Sequence, residues 1–136
     1  MQRKKYPNIR YHIICEDIRH EIGNKVSLMG VFQRNIRIPM PFSFPKLCFR
    51  VVFSDIPESK TIAARLYDPD QNILHKARID LPEKPEGDVN ALTLDLAFGG
   101  LQIEKAGKYS LSFSFDKDRG KKTIDFTIVE VADESV

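Results

Sequence analysis

Three histidines are the side chains of this sequence best suited to proton transfer or metal binding near neutral pH. His12 and His20 lie in one strand-like run, and eight residues at about 3.3 Å each separate them by more than about 20 Å. They therefore cannot share a metal ion. His75 lies in a later run, at the parity of the apolar residues around it. This pattern predicts a partly buried histidine with satisfied hydrogen bonds. An enzyme that uses His75 as a ligand or general base is the alternative.

The two cysteines do not belong to a recognisable catalytic motif. Cys48 alternates with Leu47 and Phe49, which predicts that its side chain points away from their face of a strand, and Cys15 lies in another strand-like run. The sequence holds no Gly-x-Ser-x-Gly elbow, no Cys-x-x-Cys and no His-x-x-x-His. The pair Gly99-Gly100 indicates a turn and not a phosphate-binding loop. We therefore predict no catalytic residue and no cofactor.

Two Asp-x-Asp pairs raise the question of a calcium site, because acidic loops can supply the oxygen ligands that calcium prefers. The pairs are Asp68/Asp70 and Asp116/Asp118. If consecutive strands alternate in direction, the two pairs lie at opposite ends of the molecule and cannot bind one ion together. Basic residues interleave with the second pair and would oppose a divalent cation. We therefore predict a solvated acidic turn at Asp116/Asp118 and no metal site.

Charge is unevenly distributed along the 136 residues, whose formal net charge is +2. Residues 1–50 carry 10 Lys or Arg against 3 Asp or Glu, and the remainder carries an excess of acidic residues. The basic residues Arg3, Lys4 and Lys5 begin a predicted N-terminal arm over residues 1–8. With Tyr6 and Tyr11 they could contact the phosphates and bases of nucleic acid, although a frayed, solvated terminus is the simpler interpretation.

The apolar stretches of the sequence bear on the compartment of the protein and on its relation to membranes. An apolar run of signal-peptide type does not follow the basic N-terminal residues, which predicts a cytoplasmic protein with reduced thiols. Nowhere does an apolar stretch approach the roughly 20 residues that cross a bilayer, so we expect no membrane partner.

Strict alternation of apolar and polar residues is the dominant pattern and predicts strands with one buried face. Turn residues such as Asp68-Pro69 separate the runs. We predict an all-β fold, an immunoglobulin-like antiparallel β-sandwich of seven to eight strands, formed as one domain over residues 9–131 with a tail at 132–136. The predicted strands are 9–19, 25–34, 46–54, 60–68, 72–80, 90–98, 107–115 and 121–131. The predicted core comprises Ile13, Cys15, Val26, Leu28, Phe32, Leu47, Phe49, Val51, Ile62, Leu66, Leu92, Leu94, Leu96, Leu111, Phe113, Ile124, Phe126 and Ile128.

Short motifs support this architecture. The segment Ala106-Gly107-Lys108-Tyr109 resembles the Gly-x-Tyr entry to a late strand of immunoglobulin-like sandwiches, in which the tyrosine hydroxyl bonds to the backbone upstream. The segments 14–17 and 24–32, with Pro45 before the next strand, resemble a bacterial family of small β-sandwich proteins of unknown function. This resemblance implies the fold but assigns no reaction and no site residues.

The segment 34–46 is the most unusual stretch, because it combines three prolines with apolar side chains. The prolines predict a loop that stays out of central strands and shares one end of the sandwich with the N-terminus. A loop this apolar either caps the core or docks a partner. We predict a non-catalytic protein-interaction module that uses this loop, and self-association through an exposed edge strand is a variant. The predicted contact residues are Arg34, Arg37, Met40, Phe42, Phe44 and Lys46.

Overall fold

A computed structural model describes residues 8–54, 61–81, 91–115 and 121–132. Within these ranges the chain forms nine strands and no helix, which confirms the all-β prediction but adds a strand to the expected eight. The strands are β1 (Asn8–Glu21), β2 (Lys25–Val31), β3 (Ile36–Ile38), β4 (Phe42–Ser54), β5 (Thr61–Tyr67), β6 (Ile73–Asp80), β7 (Ala91–Ile103), β8 (Gly107–Phe115) and β9 (Lys121–Glu130). The described residues contain no helix that could span a membrane.

The strands form two sheets that pack face to face. Sheet A has the order β2-β1-β4-β7 and sheet B the order β3-β9-β8-β5-β6. All pairs are antiparallel except β3 with β9, which is parallel. The predicted sandwich is thus confirmed, whereas its immunoglobulin-like detail stays a prediction.

The core lies between the sheets and is built by the alternation visible in the sequence. Aromatic rings connect the layers: the ring centroids of Phe49 and Phe126 lie 5.4 Å apart, and those of Phe53 and Phe113 lie 5.2 Å apart. Burial of such rings supplies most of the driving force for folding in a domain of this kind. The predicted core residues Ile13, Val26 and Leu28 are only half-buried and do not belong to this core.

The segment 34–46 does not stay out of the sheets, so that part of the prediction is wrong. Ile36–Ile38 forms β3, an edge strand that ends just before Pro39, and Phe42–Pro45 begins the central strand β4. Pro45 is tolerated because the pairing of β4 with β1 stops at Cys48, so β4 has only β7 as a neighbour at this level. β7 likewise continues through Gly99-Gly100 instead of turning there.

The extra strand also changes which chain segments share an end of the sandwich. β4 runs antiparallel to β1, and Asn8 pairs with Ser54. The chain therefore enters β1 at the end where β4 finishes, while Phe42 lies at the opposite end beside Ile103. The prediction that the N-terminus and the segment 34–46 share one end is wrong, because β3 adds a pass across the sandwich that the strand count omitted.

β1 bends across the outer face of sheet A after Cys15. Up to that residue it pairs with β4, and beyond it only with β2. One contact shows the bend: His20 Nε2 lies 3.4 Å from Asp95 Oδ2 on β7. If β1 were straight, His20 would lie two strands across the sheet from Asp95 and about 20 Å further along the strand direction. The β1–β2 hairpin therefore covers part of the outer face of β4.

Two local motifs that the sequence predicted are present in sheet B. The Tyr109 hydroxyl donates a hydrogen bond of 2.6 Å to the Lys105 carbonyl four residues upstream, which confirms the tyrosine corner. The Asp68 carboxylate accepts hydrogen bonds from the backbone amides of Asp70 and Asn72, at 2.8 and 2.9 Å, and closes the turn between β5 and β6.

Candidate functional site

The apolar residues predicted for docking pack mainly on the core. Phe44 is 4% exposed, and its ring lies 4.7 Å from that of Phe42 and 6.4 Å from that of Phe32, between centroids. Met40 and Phe42 are half-buried against the same core. Phe44 is thus unavailable to a partner without unfolding, and only the outer parts of Met40 and Phe42 reach the surface.

The three basic residues predicted beside them are exposed but do not form one cluster. Arg37 faces outward from sheet B, because its neighbours Ile36 and Ile38 are buried in the core. Lys46 lies on sheet A, paired with Asp17. Arg34 lies in the connection between the two sheets. The structure therefore distributes these cations instead of gathering them around the apolar side chains.

A different group of exposed apolar residues lies along β1 and β2. Tyr11 is 53% exposed, Met29 44% and Val31 47%. Val31 is directly opposite Cys15, whose face of β1 also carries Tyr11, and Met29 is directly opposite Asp17. Directly opposite residues share a face of a sheet, so the three side chains lie on the outer face of sheet A. We name Tyr11, Met29 and Val31 the β1–β2 patch.

Sequence reasoning missed this patch, although parity carried a signal. Met29 and Val31 have the opposite parity to Leu28, which was assigned to the core, so a strand over this segment had to present them on its other face. β2 is also an edge strand of sheet A, and its outer backbone edge faces no other described strand. The patch therefore combines apolar side chains with an unpaired edge.

A shallow, open depression of about 420 Å³ adjoins the patch. It is lined by Glu16, Asp17, Arg19, Met29, Gly30 and Lys46. Asp17 accepts hydrogen bonds from Lys46 Nζ and Arg19 Nε, both at 3.1 Å. These two cations, Lys46 foremost, hold the pKa of Asp17 below its ordinary value. Asp17, Arg19 and Lys46 are thus already paired with one another, and the depression has polar and apolar sides.

Gly30 gives this depression its shape. Its φ is +65°, a left-handed conformation that favours glycine, and a Cβ at this position would lie 2.6 Å from Glu16 Oε1. The Glu16 side chain can therefore lie directly against the β2 backbone. Any other residue at position 30 would displace this side chain and strain the strand.

A group of polar side chains lies beneath the bent hairpin. Asp95 Oδ2 lies 3.6 Å from Arg50 Nη1 and 3.4 Å from His20 Nε2. Arg50 Nη1 and Asp95 Oδ1 are buried and make no hydrogen bond within the described ranges. Charges buried in this way stabilise weakly but penalise any arrangement that separates them. The contact with His20, whose side chain is 71% exposed, marks the place where β1 crosses β7.

The two cysteines face each other under the hairpin. Cys15 and Cys48 are directly opposite in the β1–β4 register, are 0% and 1% exposed, and are free thiols. Cys48 lies outside the core between the sheets, as its alternation with Leu47 and Phe49 predicted. Burial is the largest cause that raises the pKa of both thiols. Buried thiols of this kind are poor nucleophiles in the folded state.

The other residues considered for chemistry are scattered. His75 is exposed on the edge strand β6, with its ring 5.0 Å from that of Phe98, so the prediction that it is partly buried is wrong. An edge strand has no neighbour to cover its outer side, which explains the exposure. No group of three potential metal ligands occurs among the described residues. The predicted nucleic-acid-binding arm, with Arg3, Lys4 and Lys5, lies outside the described residues.

Comparison with known proteins places most of the chain in one family. A family model described as a family of unknown function, DUF6941, matches residues 10–129. No curated protein matches the chain. The resemblance to a family of unknown function is confirmed, and the bacterial origin that it implied stays a prediction.

Proposed function

This chain belongs to the DUF6941 family of unknown function, and we propose that it acts as a non-catalytic protein-interaction module. The observation that carries the proposal is an unpaired edge strand, β2, with the exposed side chains of Met29 and Val31 on it. Buried thiols with raised pKa values and a histidine that packs on Phe98 support a role without catalysis. Free, reduced thiols also agree with the cytoplasmic location that forms part of the proposal.

The partner contacts β2 as an extended segment of another protein. Its backbone would pair with the free edge of β2, and its apolar side chains would cover the β1–β2 patch. The adjoining depression, lined in part by Gly30 and Lys46, gives room for side chains of the partner. The segment 34–46 then has two parts: Phe44 anchors it to the core, while Met40 and Phe42 extend the contact surface at its rim. In this arrangement backbone pairing provides affinity and the patch provides specificity.

The test compares three variants with the wild type in their capture of the partner and in the affinity of binding. The first is Met29→Ser/Val31→Ser, and the second is Phe42→Ser, which leaves the buried Phe44 in place. The matched control is Ile73→Ser, because Ile73 is as exposed as Met29, at 44%, but lies on sheet B. Met29, Val31 and Ile73 are exposed and Phe42 is half-buried, so thermal unfolding checks that each variant keeps the fold.

We expect the partner to be retained by the Ile73→Ser control, lost by the double variant and weakened by Phe42→Ser. Hydrogen exchange of the complex should show new protection of the β2 amides and none of the β6 amides. Retention by the double variant would contradict the proposal. Loss with Phe42→Ser alone would move the contact to the segment 34–46. Concentration-dependent dimers without another partner would mean that a second copy occupies the β2 edge.

A further inference from the structure

The outer face of sheet B carries a group of cations that the interaction at sheet A does not use. Arg65 on β5 is directly opposite Lys76 on β6, and Arg78 follows two residues later on the same face. All three side chains are exposed, and they point away from the core because Ala64 and Leu66 are buried in it. We name Arg65, Lys76, Arg78 and Lys121 of β9 the cationic face.

The three cations of β5 and β6 lack compensating charges. Within the described residues none of them has a carboxylate partner within ion-pair distance, whereas Lys108 on the same sheet lies 3.2 Å from Asp125. Like charges directly opposite each other in a sheet are destabilising. The strand register nevertheless holds Arg65 and Lys76 together. A bound anion would remove this repulsion.

The short side chain of Ala63, which is directly opposite Arg78 and shares its face, leaves room for such an anion. The cations border a shallow depression of about 290 Å³, which is also lined by Ala63, Ala64 and Ala77. On the neighbouring strand β8, Ser114 is directly opposite Ala63 and adds a hydroxyl group to the same face. Guanidinium, ammonium and hydroxyl groups are the donors that bind phosphate oxygens in proteins.

The cationic face extends across the sheet and includes an aromatic ring. Lys121 Nζ lies 5.6 Å from the ring centroid of Tyr67, which is half-buried on β5. Two carboxylates, Asp80 and Asp125, lie on the same side of the sheet, and Asp125 is occupied by Ser110 and Lys108. An open sheet surface with spread cations and a partly exposed aromatic ring suits an extended polyanion that also presents flat bases.

We propose that the outer face of sheet B binds single-stranded nucleic acid. Arg65, Lys76 and Arg78 hold phosphates over the depression, Lys121 holds a phosphate further along the strand, and a base packs against Tyr67. The aromatic ring favours nucleic acid over an acidic protein, because an acidic segment presents charge without bases to stack. The openness of the surface favours a flexible single strand over a duplex, whose bases are already stacked on each other.

The experiment measures anisotropy of a labelled single-stranded oligonucleotide of about 20 nucleotides, titrated from about 50 to 200 mM salt. The main variant is Arg65→Gln/Lys76→Gln/Arg78→Gln, and the second is Tyr67→Leu. The matched control removes three exposed cations elsewhere, in Arg10→Gln/Lys25→Gln/Arg34→Gln. A further variant, Arg3→Gln/Lys4→Gln/Lys5→Gln, tests the N-terminal arm. Thermal unfolding checks that each variant folds.

We expect the main variant to bind at least about tenfold more weakly and to reduce the salt slope by about 2, since each single-strand phosphate contact contributes about 0.7. Tyr67→Leu should weaken binding without changing the slope. An equal loss in the matched control, or a loss confined to the arm variant, would overturn the proposal. So would equal affinity for duplex DNA or polyglutamate, or an absence of binding by the wild type. The result of this experiment, whether it supports or overturns nucleic-acid binding, does not bear on the protein interaction proposed for β2.

Discussion

The tyrosine corner allows a stability prediction in which one hydrogen bond is removed and nothing else. The Tyr109 hydroxyl donates to the Lys105 carbonyl at 2.6 Å, and the residue is 1% exposed. Its ring stacks on that of Phe126, with centroids 5.7 Å apart. Tyr109→Phe keeps the ring and its packing and deletes only the hydroxyl. Any change in the free energy of unfolding therefore reports on the hydrogen bond.

The expected magnitude follows from the environment of the two groups. A neutral hydrogen bond contributes about 0.5–1.5 kcal/mol net, and a carbonyl left unsatisfied in the interior adds a desolvation cost. Lys105 is exposed, so water can reach its carbonyl in part and limit that cost. We expect Tyr109→Phe to lower the free energy of unfolding by about 1–2 kcal/mol, which corresponds to about 3–6 °C in Tm for a domain of this size.

Urea denaturation near neutral pH tests this prediction, with Tyr11→Phe as the control. The Tyr11 side chain is 53% exposed, so its hydroxyl is hydrated and its loss should change the free energy of unfolding by less than about 0.5 kcal/mol. Equal destabilisation by the two variants would refute the reasoning. Burial also raises the pKa of Tyr109, so the folded state favours the neutral phenol. The stability that the neutral phenol contributes is present below the ordinary tyrosine pKa and is lost as pH rises through the pKa of Tyr109 in the folded state. Tyr109→Phe has no phenol and should not show this loss.

Two further predictions concern the backbone and the acid limb of stability. Gly30→Ala should lower the free energy of unfolding, measured in urea, by about 1–2 kcal/mol, because residue 30 has a φ of +65° and its new Cβ would contact Glu16. Gly99→Ala is the control and should change this free energy little, because the nearest atom to its new Cβ would lie 3.7 Å away. Equal effects of the two variants would contradict the argument. Amide donors, chiefly that of Asn72, hold the pKa of Asp68 below its ordinary value. Its stabilising contribution is therefore present above the ordinary Asp pKa and is lost as pH falls through the folded-state value, so the decline of Tm on acidification should be flatter in Asp68→Asn than in the wild type.

Only part of the candidate site could be predicted from the sequence. The burial of side chains within a segment follows the local pattern of apolar residues, but which surfaces lie side by side depends on segments far apart in the chain. Phe44 and the prolines indicated that the segment 34–46 could cap the core, and the burial of Phe44 agrees. The same pattern could not place Arg37 on sheet B and Lys46 on sheet A, because that separation depends on how β3 pairs with β9. The β1–β2 patch was missed because parity places Met29 and Val31 on an outer face but does not show that β2 is an edge strand beside β1.

The all-β class, the turn at Asp68 and the corner at Tyr109 could be predicted from the sequence, because alternation, turn chemistry and a bond to a carbonyl four residues away act within a few residues. The antiparallel pairing of β4 with β1, and the placement of Cys15 opposite Cys48 and of Arg65 opposite Lys76, are visible only in the folded sandwich. Each of these depends on strand partner and register, which are set by the packing of the whole sandwich. The two surfaces proposed to bind partners belong to this second group.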